Sequence, residues 1–375
     1  DTHTSPFLCR QPGRYIGWPC IARTAEGELL VVFSGDREAH VCPFGKTQMV
    51  RSGDDGRTWS QPVTINDTPL DDRDAGIAVL SDGTILLRWF CTYHHPDMPR
   101  FSRLDEATKD RWRPHCDKIT PDDVARWTQA TSGVTLKTHS DQRGYWLRRS
   151  TDGGRTWTDP MPTRGTSPKP AIELSDGSVL MIGNAGYDHA GRTSRVVLEH
   201  STDQGASWRT VGDLPMFIGN EGHYSGEPHI VEASPGHVVA LIRSEKPHRI
   251  KATDSTPDAL YQADSQDAGR TWTDWRPTPM LGKPPHLHKL RDGRLLATYG
   301  RRFEPFGERA CLSSDRGASW DTENELIIRD DAPNGDLGYP ATVQLGDGSL
   351  YTVYYQCERA GEKPCLMGTH WSLAD

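Results

Sequence analysis

The chain has 375 residues, a formal net charge of −8 and 35% hydrophobic residues. It contains no apolar run of about 18 residues, so the sequence predicts no membrane span, and the negative charge argues against a nucleic-acid partner. The eight cysteines form no C-x-x-C pair, and no phosphate- or dinucleotide-binding glycine motif occurs between a strand and a helix. We therefore expect neither a zinc cluster nor another cofactor.

An apolar strand, a glycine turn and a second apolar strand occur six times along the chain. Such runs, rich in Val, Ile, Leu and aromatic residues, are typical of β-hairpins. The turn glycines are Gly27, Gly83, Gly177, Gly236, Gly293 and Gly348. The strands that follow them are Leu29–Phe33, Ile85–Phe90, Val179–Ile182, Val238–Ile242, Leu295–Tyr299 and Leu350–Tyr354. The pattern predicts six repeated β units.

Each of the first five hairpins is followed by the eight-residue pattern Ser-x-Asp-x-Gly-x-(Thr/Ser)-Trp. The copies are Ser52–Trp59, Ser150–Trp157, Ser201–Trp208, Ser265–Trp272 and Ser313–Trp320. Ser and Asp side chains hydrogen-bond turn backbone, Gly supplies a positive φ, and Trp packs the turn against its neighbour. Five copies in register indicate a repeat protein.

Together the six hairpins predict an all-β fold, a six-bladed β-propeller of four-stranded antiparallel blades. The repeats run from end to end, so we expect one domain over residues 1–375. The sixth hairpin lacks the eight-residue pattern, and Cys365–Trp371 is the candidate for its last strand. Phe7–Arg10 is expected to add the outer strand that closes this blade.

The second repeat carries an insertion of about forty residues between Thr92 and Ser140, judged from its longer glycine-to-serine spacing. Within it, Pro121–Gln129 is predicted to form a helix, with Thr120 as N-cap and proline at the first helical position. The insertion follows the second strand, so it would leave the blade on the face where the innermost strands begin. We expect residues 92–140 to act as a lid over a binding site, the alternative being decoration or an oligomer contact.

The residues nine positions before each turn glycine should begin the innermost strands, at the mouth of a central funnel. These positions hold Trp18, Asp74, Pro168, Glu227, Pro284 and Tyr339. Positions seven before the glycine lie on the same side of the strand and include His229 and His286. The outgoing strands add Asp36, Arg37, Glu38, His40, His94, His95, Arg243, Arg301 and Arg302 near the same mouth. The sequence thus predicts a funnel lined by acidic, basic and aromatic side chains.

The eight-residue patterns are Asp boxes, or BNR repeats, and the chain resembles the sialidase (neuraminidase) superfamily along nearly its whole length. Glu227, in Ser-Gly-Glu-Pro-His-Ile-Val-Glu, and Arg243, in Ala-Leu-Ile-Arg, resemble the sialidase Glu and Arg that share one blade. Arg309, in Glu-Arg-Ala-Cys-Leu-Ser-Ser-Asp, is similar to the arginine before the last Asp box. Tyr339, before an Asp-Gly turn in the last blade, is similar to the nucleophilic tyrosine.

This resemblance implies a retaining exo-glycosidase that hydrolyses a terminal acidic sugar, sialic acid or a related one. Tyr339 would be the nucleophile, because the anionic substrate would repel a carboxylate at that place. Glu227 would be its base, since an unassisted phenol has a pKa of about 10. Arg243 and Arg309 would hold the substrate carboxylate by charge-assisted hydrogen bonds.

Two features depart from the sialidase pattern. Sialidases have a first clamp arginine where blade one begins, but this chain has Trp18 in that register and Arg14 a few residues earlier. Cys42 lies near the place of the sialidase acid/base. The candidate proton donors are Asp36, Glu38, His40 and Asp74. We expect further substrate contacts from Arg14, Asp36, Arg37, Trp18, His229, His286 and Arg301.

Two alternatives remain open. One is a lyase or uronide-directed hydrolase of acidic polysaccharides, which needs a cation, a base and an acid. Arg243 with His40, His229 or Tyr339 would supply them, and the number of histidines near the mouth favours this alternative. The other is a non-catalytic glycan- or protein-binding propeller, since Asp boxes alone do not establish catalysis.

The remaining expectations concern partners, location and cysteines. An acidic glycan is the expected partner, and the sequence does not define the oligomeric state. The chain starts without a signal peptide, and analogy of fold predicts a secreted or periplasmic protein whose leader has been removed. Cys9 is a candidate to pair with Cys357 or Cys365 if the chain ends meet in the last blade.

Overall fold

Six four-stranded antiparallel sheets form the computed structural model, which describes residues 7–92, 120–185, 195–214, 224–245 and 258–373. Each sheet is one blade, and its strands are hydrogen-bonded in chain order, except that the outer strand of the sixth sheet comes from the start of the chain. The six-bladed propeller predicted from the hairpin repeats is therefore confirmed.

Each of the first three blades consists of four consecutive strands of the chain. Blade one contains β2 Tyr15–Arg23, β3 Leu29–Arg37, β4 Lys46–Ser52 and β5 Val63–Asn66. Blade two contains β6 Asp71–Val79, β7 Ile85–Thr92, β8 Gly144–Ser150 and β9 Met161–Pro162. Blade three contains β10 Ile172–Glu173, β11 Val179–Ala185, β12 Arg195–Ser201 and β13 Arg209–Leu214.

The last three blades complete the ring, and the sixth takes its outer strand from the start of the chain. Blade four contains β14 Tyr224–Ser234, β15 His237–Glu245, β16 Ala259–Ser265 and β17 Arg276–Leu281. Blade five contains β18 Pro285–Lys289, β19 Leu295–Arg301, β20 Gly307–Ser313 and β21 Leu326–Arg329. Blade six contains β22 Gly338–Gln344, β23 Leu350–Gln356, β24 Cys365–Trp371 and β1 Phe7–Cys9.

Strand β1 closes the propeller by pairing antiparallel with β24, as the sequence predicted. Its register places Cys9 opposite Leu366 rather than opposite Cys365. Cys9 and Cys365 are both free thiols, so the expected pairing of Cys9 is wrong. Burial raises the pKa of Cys9 to about 11, which keeps this thiol protonated at neutral pH.

The hydrophobic core consists of layers between neighbouring blades. Successive side chains of a strand point to opposite faces, so each blade contributes alternate residues to two layers. In β15, Val238 and Ala240 pack against blade three, whereas Val239 and Leu241 pack against blade five. This alternation explains why the second strands read as continuous apolar runs in the sequence.

The Asp boxes fold as the sequence predicted. In the first copy, Ser52 Oγ donates to Asp54 Oδ1 at 2.7 Å and accepts from the Gly56 amide at 2.9 Å. Asp54 also accepts from the Thr58 amide at 2.9 Å. Gly56 has a φ of 83°, and a Cβ there would lie 2.3 Å from the ring of Tyr351. The box therefore needs glycine both for its turn and for contact with blade six.

The described part of the insertion contains two helices, α1 Pro121–Thr131 and α2 Leu136–Gln142. Thr120 is the N-cap of α1 and forms a capping box with Asp123, so the predicted start of this helix is confirmed. Helix α1 ends two residues beyond the predicted Gln129, and α2 was not predicted. Within the described ranges, no helix has both the length and the apolar character needed to cross a bilayer.

Candidate functional site

Four of the six inner strands carry a residue in the left-handed backbone region at equivalent positions. These residues are Trp18, Asp74, Glu227 and Tyr339, with φ values of 56°, 50°, 54° and 56°. At each one the register with the next strand is interrupted. Such bulges re-aim side chains and are common beside active sites. The two remaining positions hold Pro168 and Pro284, whose ring excludes a positive φ.

A hydrogen-bonded chain joins Tyr339, Glu227 and Arg243 across blades four and six. The Tyr339 hydroxyl donates to Glu227 Oε1, and Arg243 Nη1 donates to Glu227 Oε2 at 2.7 Å. The bulge at Glu227 is held from blade three, because its amide donates to Asn184 Oδ1 at 2.9 Å. Burial and the charge of Glu227 raise the pKa of Tyr339 well above its ordinary value. Tyr339 is therefore a neutral phenol whose proton is already directed at a carboxylate.

Asp74 is the second carboxyl group beside Glu227. It is buried, with an exposed fraction of 8%, and its amide donates to Ser34 Oγ at 3.0 Å. The pKa of Asp74 is raised to about 6, mainly by burial and also by the charge of Glu227, while the charge of Arg73 acts in the opposite direction. A carboxyl group whose pKa lies close to neutral pH is suited to general acid–base catalysis.

Two cations flank the ring of Tyr339. The Arg302 guanidinium lies 5.6 Å from the ring centroid, and its Nη2 approaches the Tyr355 hydroxyl at 3.5 Å. Lys169 lies 5.7 Å from the same centroid and donates to the carbonyl oxygen of Pro340 at 3.0 Å. Burial lowers the pKa of Lys169 to about 8. Positive charge thus surrounds the tyrosine that faces Glu227.

The neighbour of Arg302 points elsewhere. The Arg301 guanidinium stacks on Phe303 at 4.0 Å and donates to the carbonyl oxygen of Glu304 at 3.2 Å. The sequence placed Arg301 and Arg302 at the mouth of the funnel and predicted that Arg301 contacts the substrate. The alternation of side chains at the end of β19 decides between them, and the loop after the strand turns Arg302 towards Tyr339.

Two arginines expected to bind substrate are occupied within the protein. Arg37 is fully buried and bonded through both terminal nitrogens to Asp71, at 2.9 Å for Nη2 and Oδ2. Arg309 is 3% exposed and donates to the carbonyl oxygens of Glu308, at 3.0 Å, and Arg329. The structure therefore makes Arg37 a buried ion-pair partner and Arg309 a bridge between adjacent strands.

At the rim of blade one, Glu38 is the centre of a cluster of charged side chains. Glu38 accepts from Trp127 Nε1 at 2.5 Å, from Arg126, and from Arg14 Nη1 at 3.3 Å. Arg14 also pairs with Asp36 at 3.2 Å. Burial acts to raise the pKa of Glu38, but the bonds from Trp127 and Arg126 outweigh it and lower the pKa overall. Glu38 is therefore held as a carboxylate, which does not suit a proton donor.

His40 belongs to a partly buried network with Tyr15 and Asp336. Its Nδ1 lies 2.7 Å from the Tyr15 hydroxyl, and that hydroxyl donates to Asp336 Oδ1 at 2.8 Å. Burial alone would raise the pKa of Asp336, but His40 and Tyr15 hold it well below its usual range. Asp336 was not predicted as a site residue, because it lies in the loop before β22 rather than at one of the strand positions counted from the turn glycines.

Trp18 connects this network to Tyr339. Its ring is 5.0 Å from His40 and 6.4 Å from Tyr339, edge-on to both. The Arg73 guanidinium lies 4.4 Å from its centroid. Trp18 is only 1% exposed, so it supports the site by packing rather than by presenting a surface for a sugar.

His229 and His286 lie deeper than the spacing suggested. Their rings stack at 4.7 Å, and each Nδ1 accepts from a backbone amide of the next blade, Leu287 for His229 and Thr342 for His286. They line a cavity of about 710 Å³ formed by the inner strands nearer the glycine turns. Burial lowers both pKa values well below the ordinary range. His94 and His95 lie outside the described residues.

In the ranges described above, no three His, Cys, Asp or Glu side chains are grouped so that they could hold an ion.

Solved structures with the same fold include proteins of several kinds. A Dyadobacter fermentans protein of unknown function is 23% identical, with a TM-score of 0.76 over 100% of this chain and 99% of that one. The NanB sialidase of Streptococcus pneumoniae is 11% identical, with a TM-score of 0.67 over 98% and 70%. A Penicillium chrysogenum alpha-L-arabinanase is 15% identical, with a TM-score of 0.62 over 99% of each chain.

At these identities the structural likenesses establish the fold. No curated protein sequence matches the chain. The sequence family described as the BNR repeat-like domain matches residues 3–226 and, in a second overlapping alignment, residues 131–352. The two alignments together span most of the propeller, and the chain belongs to the BNR repeat-like domain family.

Proposed function

We propose that this propeller is a retaining exo-glycosidase that releases a terminal acidic sugar, with Tyr339 as nucleophile. The observation that carries the proposal is the chain of hydrogen bonds from Tyr339 through Glu227 to Arg243. A phenol becomes a competent nucleophile when an adjacent base takes its proton, and Glu227 is in contact with that proton.

The first half of the reaction forms a glycosyl–tyrosine bond. The Tyr339 oxygen attacks the anomeric carbon while its proton passes to Glu227. The bond from that carbon to the leaving oxygen breaks, and Asp74 donates its proton to that oxygen. The raised pKa of Asp74, about 6, makes this proton available near neutral pH.

The second half releases the sugar and restores the enzyme. A water molecule attacks the anomeric carbon and gives one proton to Asp74. The bond to the Tyr339 oxygen breaks, and Glu227 returns the first proton to the phenolate. Two displacements at one carbon retain its configuration, and both carboxyl groups finish in their starting states.

The charges around the tyrosine support an anionic substrate. Arg302 lies beside the Tyr339 ring, and Arg243 is fixed on Glu227. A planar guanidinium binds a carboxylate in a defined geometry. The neutral tyrosine also avoids the repulsion that an anionic sugar would exert on a carboxylate nucleophile.

A glycosidase for neutral sugars is the second candidate. Trp18 stands where a sialidase-like chain would have its first clamp arginine, and Arg37 and Arg309 are engaged inside the protein. With a neutral sugar, nothing would repel a carboxylate, and Glu227 itself would serve as nucleophile. The similar fold of an arabinanase is consistent with this chemistry.

The lyase alternative has less support. His229 and His286, two of the histidines that favoured it, are buried and accept hydrogen bonds from backbone amides. These hydrogen bonds connect neighbouring blades. Because both rings are buried, they are poorly placed to remove a proton from a polymer.

A substrate panel tests the proposal. Wild type, Tyr339→Phe and the control Tyr351→Phe would be assayed on a fluorogenic sialoside, an arabinoside and a uronate polymer, with ultraviolet absorbance recorded. Tyr351 is a buried tyrosine that bonds the Gly56 carbonyl at 3.3 Å. Sialoside hydrolysis that is lost only in Tyr339→Phe is expected. Hydrolysis of the arabinoside alone would favour the neutral-sugar glycosidase. A gain in ultraviolet absorbance on the uronate polymer would favour a lyase, and no reaction on any substrate would favour a binding propeller.

A further inference from the structure

Helix α1 of the insertion is docked on blade one beside the candidate site. Trp127 is 1% exposed and packs with Ala39, Cys42 and Phe44. Its indole nitrogen donates to Glu38 at 2.5 Å. The capping box at Thr120 fixes where the helix begins and hence which residues face the blade. We call this contact the junction. The Trp127 side chain supplies both its apolar packing and its hydrogen bond to Glu38.

The junction borders a cavity of about 250 Å³ that is open to solvent on one side. Its walls come from four separate segments: the N-terminal loop, blade one, helix α1 and the loop before β24. The lining residues are Gly13, Arg14, Glu38, Ala39, Asp123, Arg126, Trp127 and Lys363. Three of these side chains are cationic and two are anionic, and Asp36, which pairs with Arg14 at 3.2 Å, adds a third carboxylate beside the cavity.

The two anions of the cavity are already used to hold its walls together. Glu38 accepts from Arg126 and Arg14, and Asp123 accepts from Arg126 at 2.8 Å. The Lys363 ammonium donates to the carbonyl oxygen of Gly13 at 2.8 Å, which is a neutral acceptor. Arg14 and Arg126 are thus paired with acids, whereas Lys363 hydrogen-bonds a neutral acceptor, lies at the edge of the cavity and is exposed to solvent.

A series of ring contacts links the wall of the cavity to Tyr339. Arg14 directly precedes Tyr15, whose ring lies 5.5 Å from Trp18. Trp18 in turn lies edge-on to Tyr339 at 6.4 Å. An exo-glycosidase holds the terminal sugar at the nucleophile, so the rest of the glycan must leave across the rim of the funnel.

We propose that this cavity is a subsite for an anionic sugar in the leaving part of the glycan. Arg14, Arg126 and Lys363 would bind its carboxylate or sulfate, since guanidinium and ammonium groups recognise both by charge-assisted hydrogen bonds. The preferred substrate is then an acidic oligosaccharide rather than a single acidic sugar on a neutral carrier. This inference rests on the proposed function for the direction of the glycan, whereas anion binding by the cavity does not depend on it.

Calorimetry provides the test that is independent of catalysis. A uronate trisaccharide, a sulfated trisaccharide and a neutral trisaccharide would be titrated into the full chain. The variants are Lys363→Met, the rescue variant Lys363→Arg, and the control Lys137→Met, which changes an exposed lysine of α2 that pairs with Asp141. We expect at least one acidic trisaccharide to bind about tenfold more weakly to Lys363→Met, with wild-type affinity in the other two variants. Equal affinity in wild type and Lys363→Met, or preference for the neutral trisaccharide, would overturn the subsite.

Hydrolysis gives the second readout. Two substrates would carry the same terminal sugar, one linked to an aryl group and the other to an acidic disaccharide. Lys363→Met should lower kcat/KM about tenfold for the disaccharide substrate and leave kcat/KM for the aryl substrate unchanged. An equal loss on both substrates would mean that Lys363 supports the fold, and would also overturn the subsite. If wild type hydrolyses neither, the proposed function fails, and the calorimetric comparison still decides whether the cavity binds anions.

Discussion

The hydroxyl of Tyr339 donates a hydrogen bond to Oε1 of Glu227, a residue 112 positions earlier in the chain. Both residues lie nine positions before a turn glycine, and both have a left-handed backbone at a bulge of an inner strand. A non-glycine residue in this region costs of order 1–3 kcal/mol. The propeller carries this strain at the place where blades four and six present the two groups to each other.

Glu227→Gln should lower kcat by about 10²–10⁴-fold, the usual contribution of a positioned base. The amide keeps the shape of the side chain but accepts the Tyr339 proton poorly. Steady-state kinetics at several pH values would measure this loss. Glu232→Gln is the matched control, because Glu232 lies on the same strand and bonds the Ser175 amide at 2.7 Å. Equal losses in the two variants would contradict the role of Glu227.

Asp74→Asn should abolish turnover of substrates with a poor leaving group and also stabilise the fold at alkaline pH. Its pKa of about 6 in the folded protein lies above the ordinary 3.8. Between these values the folded protein holds a proton that the unfolded chain releases, so wild type loses stability as pH rises from about 4 to 6. The loss is of order 3 kcal/mol above pH 6.

Thermal unfolding of wild type and Asp74→Asn at pH 4 and pH 8 measures this effect. The variant should gain stability relative to wild type on going from pH 4 to pH 8. An unchanged difference between the two proteins at both pH values would show that Asp74 titrates normally, and would remove it as the proton donor.

Arg302→Met should raise KM for an acidic glycoside about tenfold and leave a neutral glycoside unaffected. The expected cause is loss of a cation 5.6 Å from the Tyr339 ring. Arg301→Met is the control, because Arg301 stacks on Phe303 instead. Kinetics of both variants on the two glycosides distinguish them. A larger effect from Arg301 would place the substrate anion on the other side of the strand end.

Trp127→Ala should release helix α1 without unfolding the propeller. Removing a buried tryptophan costs about 3–5 kcal/mol, and here the cost falls on one junction. Hydrogen exchange should therefore show faster exchange of Pro121–Thr131, with unchanged protection of the Asp boxes. Leu136→Ala, which alters a side chain that is 90% exposed on α2, serves as the control. Loss of protection throughout the blades would show that Trp127 stabilises the whole domain.

The sequence predicted the fold well because each blade repeats its own signals. The glycine turns and Asp boxes are local, and their spacing alone located the bulged residues Asp74, Glu227 and Tyr339. Orientation was harder to predict, because a one-residue difference at the end of β19 separates Arg301 from Arg302. Contacts between residues far apart in the chain were harder still to predict. Arg37 forms a buried ion pair with Asp71 of the next blade, and Asp336 reaches the site from a loop.

Identification of the covalent intermediate tests the central claim most directly. The enzyme would be treated with a fluorinated acidic glycosyl fluoride that slows the second displacement, then digested with trypsin and sequenced by mass spectrometry. Trypsin cuts after Lys and Arg, so Tyr339, Glu227 and Asp74 fall in three different peptides. The proposed mechanism places the sugar on Tyr339. An adduct on Glu227 or Asp74 would contradict the tyrosine mechanism and indicate a carboxylate nucleophile.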